Sequence, residues 1–412
     1  MAIAGSPVNA RQAEEYLLGL ELFGMRFGLD RMHKLMTALG MPQRRFASIH
    51  VVGSNGKSST VRYIAAILER HGLRTGSYTS PHLGSFQERI EVGEQPLGGS
   101  GFAAAVSNAA HAAELVNRTV DDDDEVTQFE ALTAAAYHEL ARREVDVAVI
   151  EAGLGGRFDA TNVIPSAVQV VTGVGLEHTR WLGPTLADIA AEKLAVVRDH
   201  AVLVAGELPA EAETVLSRVA DERHARVVRA ADEEDARPDA PTGAFQRRNF
   251  ALARAAAQAF AGDDRPLNPD RVRSAAAETR IRGRLDVTGE SPLVIHDGAH
   301  NPAGAHELAR ALPELLERRG GGNIRPVVGV ISILDDKDPA AILAELLPVC
   351  DKVVLTACSN PRALPAPTLV TLAQKLGGPP AETAADPARA VERASELAGP
   401  GGAVLAAGSI YL

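Results

Sequence analysis

Cysteine occurs only twice in the 412 residues, as Cys350 and Cys358. Two thiols cannot build a disulfide framework, and these two lack metal-ligand spacing, so a reduced, cytoplasmic setting is expected. Aromatic residues make up only 4% of the chain, with a single Trp, which argues against stacking platforms for single-stranded nucleic acid. No run of 18 apolar residues occurs, so no segment is expected to span a membrane. The stretch MAIAGSPVNARQAEEYLLGL lacks a basic segment followed by an apolar one, and no secretory signal is expected there. Positive charge is also scarce: 42 Lys and Arg face 53 Asp and Glu, a net charge of −11, with no Lys/Arg run. That disfavours a general phosphate-backbone binder, so any anionic ligand must be held by a local site.

What is present is ordinary globular composition, 46% hydrophobic and 23% charged, at a length that suggests two or three domains. Short β-rich runs at 47–52 (ASIHVV), 146–151 (DVAVIE), 167–172 (AVQVVT) and 201–205 (AVLVA) read as buried strands. Helical patterns at 57–71, 101–117, 127–144, 185–198, 209–222 and 246–261 lie among or after them. The alternation restarts near 293, with strands expected at 292–297, 325–332, 352–357 and 402–409. The pattern implies an α/β fold with mostly parallel sheets covered by helices, and a second, smaller domain after a linker near 280–286. The acidic run Asp121–Glu125 reads as a solvated loop, and the stretch rich in Asp, Glu, Pro and Ala at 230–243 as an exposed one.

Between the first strand and its helix lies Val51-Val52-Gly53-Ser54-Asn55-Gly56-Lys57-Ser58-Ser59. Small residues there let backbone N–H groups approach phosphate oxygens, and the helix N-terminus adds partial positive charge. Lys57 could reach the outer phosphates and Ser58 could place its hydroxyl near Mg²⁺. The literal eight-residue P-loop pattern fails, because its first Gly would fall at Val51.

The run Ile49–Ser58 resembles the ATP loop of the Mur ligase superfamily, and more closely that of the folylpolyglutamate synthase/dihydrofolate synthase family, whose usual form is H-V-x-G-T-N-G-K-G-[ST]. Ser54 stands for the usual Thr and Ser58 for the usual Gly, which leaves open whether Ser58 or Ser59 supplies the family's hydroxyl. Further blocks match in order: Tyr78–Leu83 with Glu88–Ile90, Phe129–Thr133, Glu151–Asn162, Gly175–Thr179 and Ile189–Lys193. In the later half come Gln246, Asn249, Gly283–Leu285, Asp297–Pro302, Asp336–Asp338 and Gly408–Leu412.

This resemblance implies an N-terminal P-loop ATPase domain at 1–283 and a Rossmann-like glutamate-ligase domain at 284–412, as in Mur ligases. It implies an ATP-dependent amide ligase that adds L-glutamate to reduced folates and to dihydropteroate through an acyl phosphate, with Mg²⁺ and with ATP as co-substrate. Asn55, Gly56, Lys57, Ser58 and Ser59 would hold ATP, joined by Asn249 on the adenine, Arg284 on phosphate, Asp297 on the ribose side and His300. ATP would then sit between the domains. Ser58, Ser80, Glu151 and His178 would form the metal site, and Lys57, His178 and Lys193 the catalytic set, with Lys193 carbamylated by CO₂. Pro81, His82, Thr127, Phe129, Glu130, Phe158, Asp159 and Ala160 would line the pterin pocket. The implied partners are small-molecule substrates only, with no nucleic acid or membrane, on a monomer.

Several of these residues have plainer readings. Lys193 lies on a helical pattern where an exposed lysine is expected, and Thr127-x-x-Glu130 is also a good capping box. Asp159 fits a turn carboxylate, and a lone His such as His178 is more often packed than a ligand. A Mur-type ligase with a different acid acceptor, or a P-loop protein that ligates nothing, remains open at this level. Gly153-Leu154-Gly155-Gly156 is not a dinucleotide loop, since position 158 is Phe and not Gly.

Overall fold

Val- and Ile-rich runs favour extended backbone and the Ala- and Leu-rich stretches between them favour helix, so the chain alternates as its residues dictate. The computed structural model describes residues 9–20, 28–121, 124–231, 242–320 and 323–412. Asp122 and Asp123 of the acidic run, and most of the expected loop at 230–243, lie outside the described residues. Contacts divide the chain into two units: the described residues before 240 with Arg248–Thr279, and those just before Arg248 with Arg280–Leu412.

The first unit is built on eight strands: β1 (Ala47–Val52), β2 (Thr75–Tyr78), β3 (Ile90–Val92), β4 (Gln95–Pro96), β5 (Val147–Glu151), β6 (Val168–Val171), β7 (Val202–Ala205) and β8 (Arg226–Arg229). Their order is β4-β3-β2-β5-β1-β6-β7-β8, parallel from β2 to β8, with β3 and β4 antiparallel at one edge. The second unit holds β9 (Asp286–Glu290), β10 (Leu293–His296), β11 (Val327–Ile331), β12 (Lys352–Leu355), β13 (Ala381–Thr383) and β14 (Ala403–Ala407). The order is β13-β12-β11-β14-β10-β9, parallel except for β9. Both sheets are therefore the mostly parallel α/β class that the alternation implied. Among the described residues no helix is long and apolar enough to cross a membrane.

The strands that the sequence pattern missed lack its signal. β2 reads Thr-Gly-Ser-Tyr, with little apolar content, yet every residue is buried because β3 and β5 flank it. β8 is an edge strand with exposed Arg226 and Arg229 at its ends.

For function the register matters most. β1 lies between β5 and β6, and Val51 pairs with Glu151, the last residue of β5. The loop that leaves β1 and the carboxylate that ends β5 thus emerge side by side at the carboxyl edge of the sheet, where open α/β folds bind ligands.

Candidate functional site

The loop after β1 folds as its small residues allow. Gly56 has a φ of +81° and precedes the helix Lys57–Arg70. A Cβ at Gly56 would stand 2.2 Å from the side-chain oxygen of buried Asn249, so no larger residue fits there. Asn249 is thereby seated against the loop, while Asn55 is exposed at its tip. Lys57 turns back on its own loop, donating to the Gly53 and Ser54 carbonyls at 2.9 and 3.3 Å. Ser54 locks the loop to β6's exit by accepting from the Gly175 N–H at 2.9 Å.

Glu151 is 1% exposed and its two oxygens are both engaged: Ser58 Oγ donates at 3.0 Å and the Ser80 N–H at 3.1 Å. The hydroxyl beside the carboxylate is thus that of Ser58, whereas Ser59 is buried in the helix. Ser80 meets Glu151 through its backbone. His178 caps the short helix Thr179–Leu182 from a left-handed conformation and is exposed rather than packed. The hydroxyl and carboxylate oxygens of Ser58 and Glu151 are hard donors that suit Mg²⁺.

Lys193 corrects the pattern-based expectation of an exposed lysine. It lies on the helix Leu186–Leu194 but is only 1% exposed, because that helix packs its last turn under the Gly-rich block. Gly156 makes this possible: a Cβ there would meet the Lys193 and Glu192 carbonyl oxygens at 2.7 and 2.8 Å. Lys193 Nζ donates to the Gly53 carbonyl at 3.0 Å and to Glu177 Oε1 at 2.8 Å. Burial, with Lys57 adding to it, pushes the Lys193 amine below its ordinary pKa, while Glu177 opposes the shift. Burial works against charge on Glu177, but Lys193 and Lys57 outweigh it and hold this carboxyl at about 2. Glu177 had a signal in the sequence, one residue before His178, but no pattern assigned it a partner.

The expected pterin residues divide. Thr127 and Glu130 form the reciprocal cap of the helix Gln128–Arg142, and Arg31 Nε holds both Glu130 oxygens at 3.1 Å. Arg31, which also pairs with Asp124, is 6% exposed and had no sequence signal. Phe129 stacks on Tyr78 with centroids 6.1 Å apart and leans on Gly153. Phe158 is 41% exposed and Pro81 is exposed, whereas Ala160 is buried. His82 Nδ1 accepts from Arg89 Nε at 2.9 Å; burial, then Arg89, pushes its pKa down to about 4, so it is a neutral imidazole at pH 7.

Asp159 behaves as a turn carboxylate. It accepts from the Leu154 and Thr161 N–H groups at 2.8 and 3.0 Å and from the Thr161 hydroxyl. Burial raises its pKa while those bonds oppose the rise. Because the Thr161 hydroxyl gives its hydrogen to Asp159, His50 on β1 donates to Thr161 Oγ1 from Nε2, at 2.8 Å. His50 is fully buried, which together with Arg198 pushes its pKa down to about 3.

An acid limit on stability follows. Below the unfolded value of 6.5 the unfolded chain takes a proton on this His and the folded chain does not, so stability is lost as pH falls towards 3. Between pH 7.5 and 3.5 the loss from His50 alone is expected to be about 4 kcal/mol. Denaturant midpoints across that range check it, and His50→Gln should flatten the slope.

In the second unit, Arg284, Asp297 and His300 come together around two glycines. Asp297 is buried and accepts from the Leu285 and Ala299 N–H groups at 2.9 and 2.8 Å. Burial pushes its pKa up and Arg284 pulls against that. Arg284 donates to the Gly283 carbonyl at 3.0 Å, and His300 Nδ1 lies 2.8 Å from the Gly298 carbonyl.

A glycine-containing loop at a strand–helix junction, with a buried carboxylate level with it at the sheet's carboxyl edge, is the kind of place where open α/β folds bind nucleotides. Residues 283–410 match the family model described as Mur ligase, glutamate ligase domain. The chain is 35% identical to the dihydrofolate synthase/folylpolyglutamate synthase of Mycobacterium tuberculosis, over 85% of this chain and 78% of that one. It is 36% identical to the folylpolyglutamate synthase of Lacticaseibacillus casei, over 81% and 82%. The Mycobacterium tuberculosis folylpolyglutamate synthase complexed with ADP superposes with a TM-score of 0.88 at 33% identity, covering 98% of this chain and 96% of that one. Escherichia coli FolC in complex with DHPP and ADP gives 0.83 at 31% identity, covering 100% and 97%. The chain belongs to the dihydrofolate synthase/folylpolyglutamate synthase family.

Proposed function

We infer that this chain is an ATP-dependent ligase that joins L-glutamate to the carboxylate of a reduced folate or of dihydropteroate. The observation that carries the reading is the Ser58–Glu151 contact beside Lys57, in a chain of this family. The substrate carboxylate takes the γ-phosphoryl group to give an acyl phosphate; the glutamate amine attacks it, and phosphate leaves. Such a reaction asks the protein mainly for positioning and charge neutralisation.

The residues divide that work. The backbone N–H groups from Asn55 to Ser59 cradle phosphates, and Lys57 exchanges the Gly53 and Ser54 carbonyls for phosphate oxygens. Ser58 and Glu151, with Ser80 and His178, would hold Mg²⁺, which supplies charge neutralisation on the phosphates when bound. Asn249 would read adenine; in the second unit, Arg284, Asp297 and His300 are proposed as ligand contacts. Phe129 offers an aromatic face to the pterin, with Phe158, Pro81 and His82 around it. Thr127, Glu130 and Asp159 shape that region through the cap and the Gly-rich turn. The reading includes a reduced cytoplasmic setting, small-molecule partners and a monomer.

The test is glutamate-dependent phosphate release from Mg-ATP with dihydropteroate and tetrahydrofolate as separate acceptors. Release with either establishes the corresponding activity; silence with both, while nucleotide still binds, overturns the folate assignment. Phe129→Ala should raise KM for the pterin substrate about tenfold and leave KM for ATP unchanged. Equal changes in both would remove Phe129 from the pocket.

A further inference from the structure

A guanidinium buried in the first unit grips the chain on both sides of a helix cap. Arg31 lies in the first turn of the helix Asp30–Ala38 and is 6% exposed, so its charge needs partners inside the protein. Its Nε donates to both Glu130 oxygens at 3.1 Å, and its fork also pairs with Asp124. Asp124 precedes the N-cap Thr127 in the chain, and Glu130 follows it in the first turn of the helix Gln128–Arg142. Glu130 Oε2 meanwhile accepts from the Thr127 N–H at 2.9 Å and from the Thr127 hydroxyl at 3.0 Å. A capping box of this kind works with a neutral Gln as well as with Glu. The cap therefore does not require the charge on Glu130, whereas Arg31 does.

Between those two grips sits Phe129, half-buried and flanked by buried Gln128 and Glu130. Its ring stacks on Tyr78 and lies so close to Gly153 that a Cβ there would stand 2.6 Å from Phe129 Cζ. The ring keeps that place only while the first turn of its helix enters at a fixed angle. We propose that Arg31 is a positioning residue for the acceptor substrate: by holding Asp124 and Glu130 at once, it sets the angle at which the chain enters the helix, and so the face that Phe129 presents. Arg31 acts through Phe129 and not by touching the substrate. The inference rests on reading Phe129 as a pterin contact.

The experiment measures KM for ATP and for whichever of dihydropteroate and tetrahydrofolate the full chain accepts, with melting temperature alongside. Arg31→Met keeps an unbranched stem and removes the fork. It should raise the acceptor KM about tenfold, leave KM for ATP unchanged and lower the melting temperature, because Glu130 is left buried without its counter-charge. Adding Glu130→Gln keeps the cap and removes that stranded charge, so the melting temperature should recover while the acceptor KM stays raised. Recovery of both together overturns the proposal, since Arg31 would then serve stability alone. An acceptor KM that does not rise, or a KM for ATP that rises equally, also overturns it. Arg31→Lys keeps the charge but gathers it on one nitrogen, and it decides the matter if the other variants do not fold. It should raise the acceptor KM about threefold, and an unchanged value overturns the proposal. With Phe129→Ala in place, Arg31→Met should add no further rise. If Phe129→Ala alone leaves the acceptor KM unchanged, or the unaltered chain accepts neither pteridine, the pocket reading falls and the proposal with it.

Discussion

Lys57→Ala should abolish most glutamate-dependent phosphate release, lowering kcat about a thousandfold, while the fold persists. The side chain is partly exposed and its bonds run to Gly53 and Ser54 carbonyls of its own loop, so its removal opens no core cavity. On the proposed mechanism, what is lost is a cation that would move onto the transferring phosphoryl group, where charge develops. The melting temperature should stay near that of the unaltered chain, and it could rise slightly because Lys193 is relieved of a like charge. Phosphate release measured against acceptor concentration, with circular dichroism as the folding control, checks both halves. Retention of more than about a tenth of the rate would remove Lys57 from the chemistry.

Gly156→Ala should damage both stability and activity, for a reason seated in backbone. The added methyl would meet two carbonyl oxygens of the last turn of the Lys193 helix at 2.7 and 2.8 Å, and Val196 at 3.0 Å. Backbone oxygens of a packed helix cannot step aside as a side-chain tip can, so the Gly-rich block must lift. The block also bonds that helix through the Arg157 N–H to the Glu192 carbonyl at 3.0 Å. A cost of about 3 kcal/mol in the first unit is expected, read from denaturant unfolding. Activity should fall about a hundredfold, since Lys193 and the turn that carries Asp159 move with the block. A variant with normal stability and rate would show that the block and helix can separate freely, against the packing described.

The phosphate loop was legible in the sequence because its chemistry is local. Gly53, Gly56, Lys57 and Ser58 are neighbours in the chain, and the strand before them and the helix after them carry clear periodicities. The central strands were legible for the same reason, and the ends of the runs at 47–52 and 201–205 differ from the structure by at most one residue. β2 and β8 were not legible: one is buried by its neighbours without being apolar, and the other is an edge strand that need not be. Lys193 misleads a pattern reading altogether. Its helix has one face towards the Gly-rich block, and only the position of that block, tens of residues earlier, makes the lysine an interior residue.

By itself the sequence determined the α/β class, the strand–loop–helix read as the phosphate site, and the capping box at Thr127 and Glu130, each set by residues within a few positions of one another. The tertiary structure alone decided which groups meet: Ser58 with Glu151, Arg31 with Glu130, His50 with Thr161, and Lys193 with both Gly53 and Glu177. Those pairings span from 16 to 140 residues of chain. Strand order and register bring Ser58 to Glu151, because a parallel sheet brings the carboxyl ends of distant strands to one edge, and helix packing sets Arg31 against Glu130; no local periodicity encodes which elements will be neighbours.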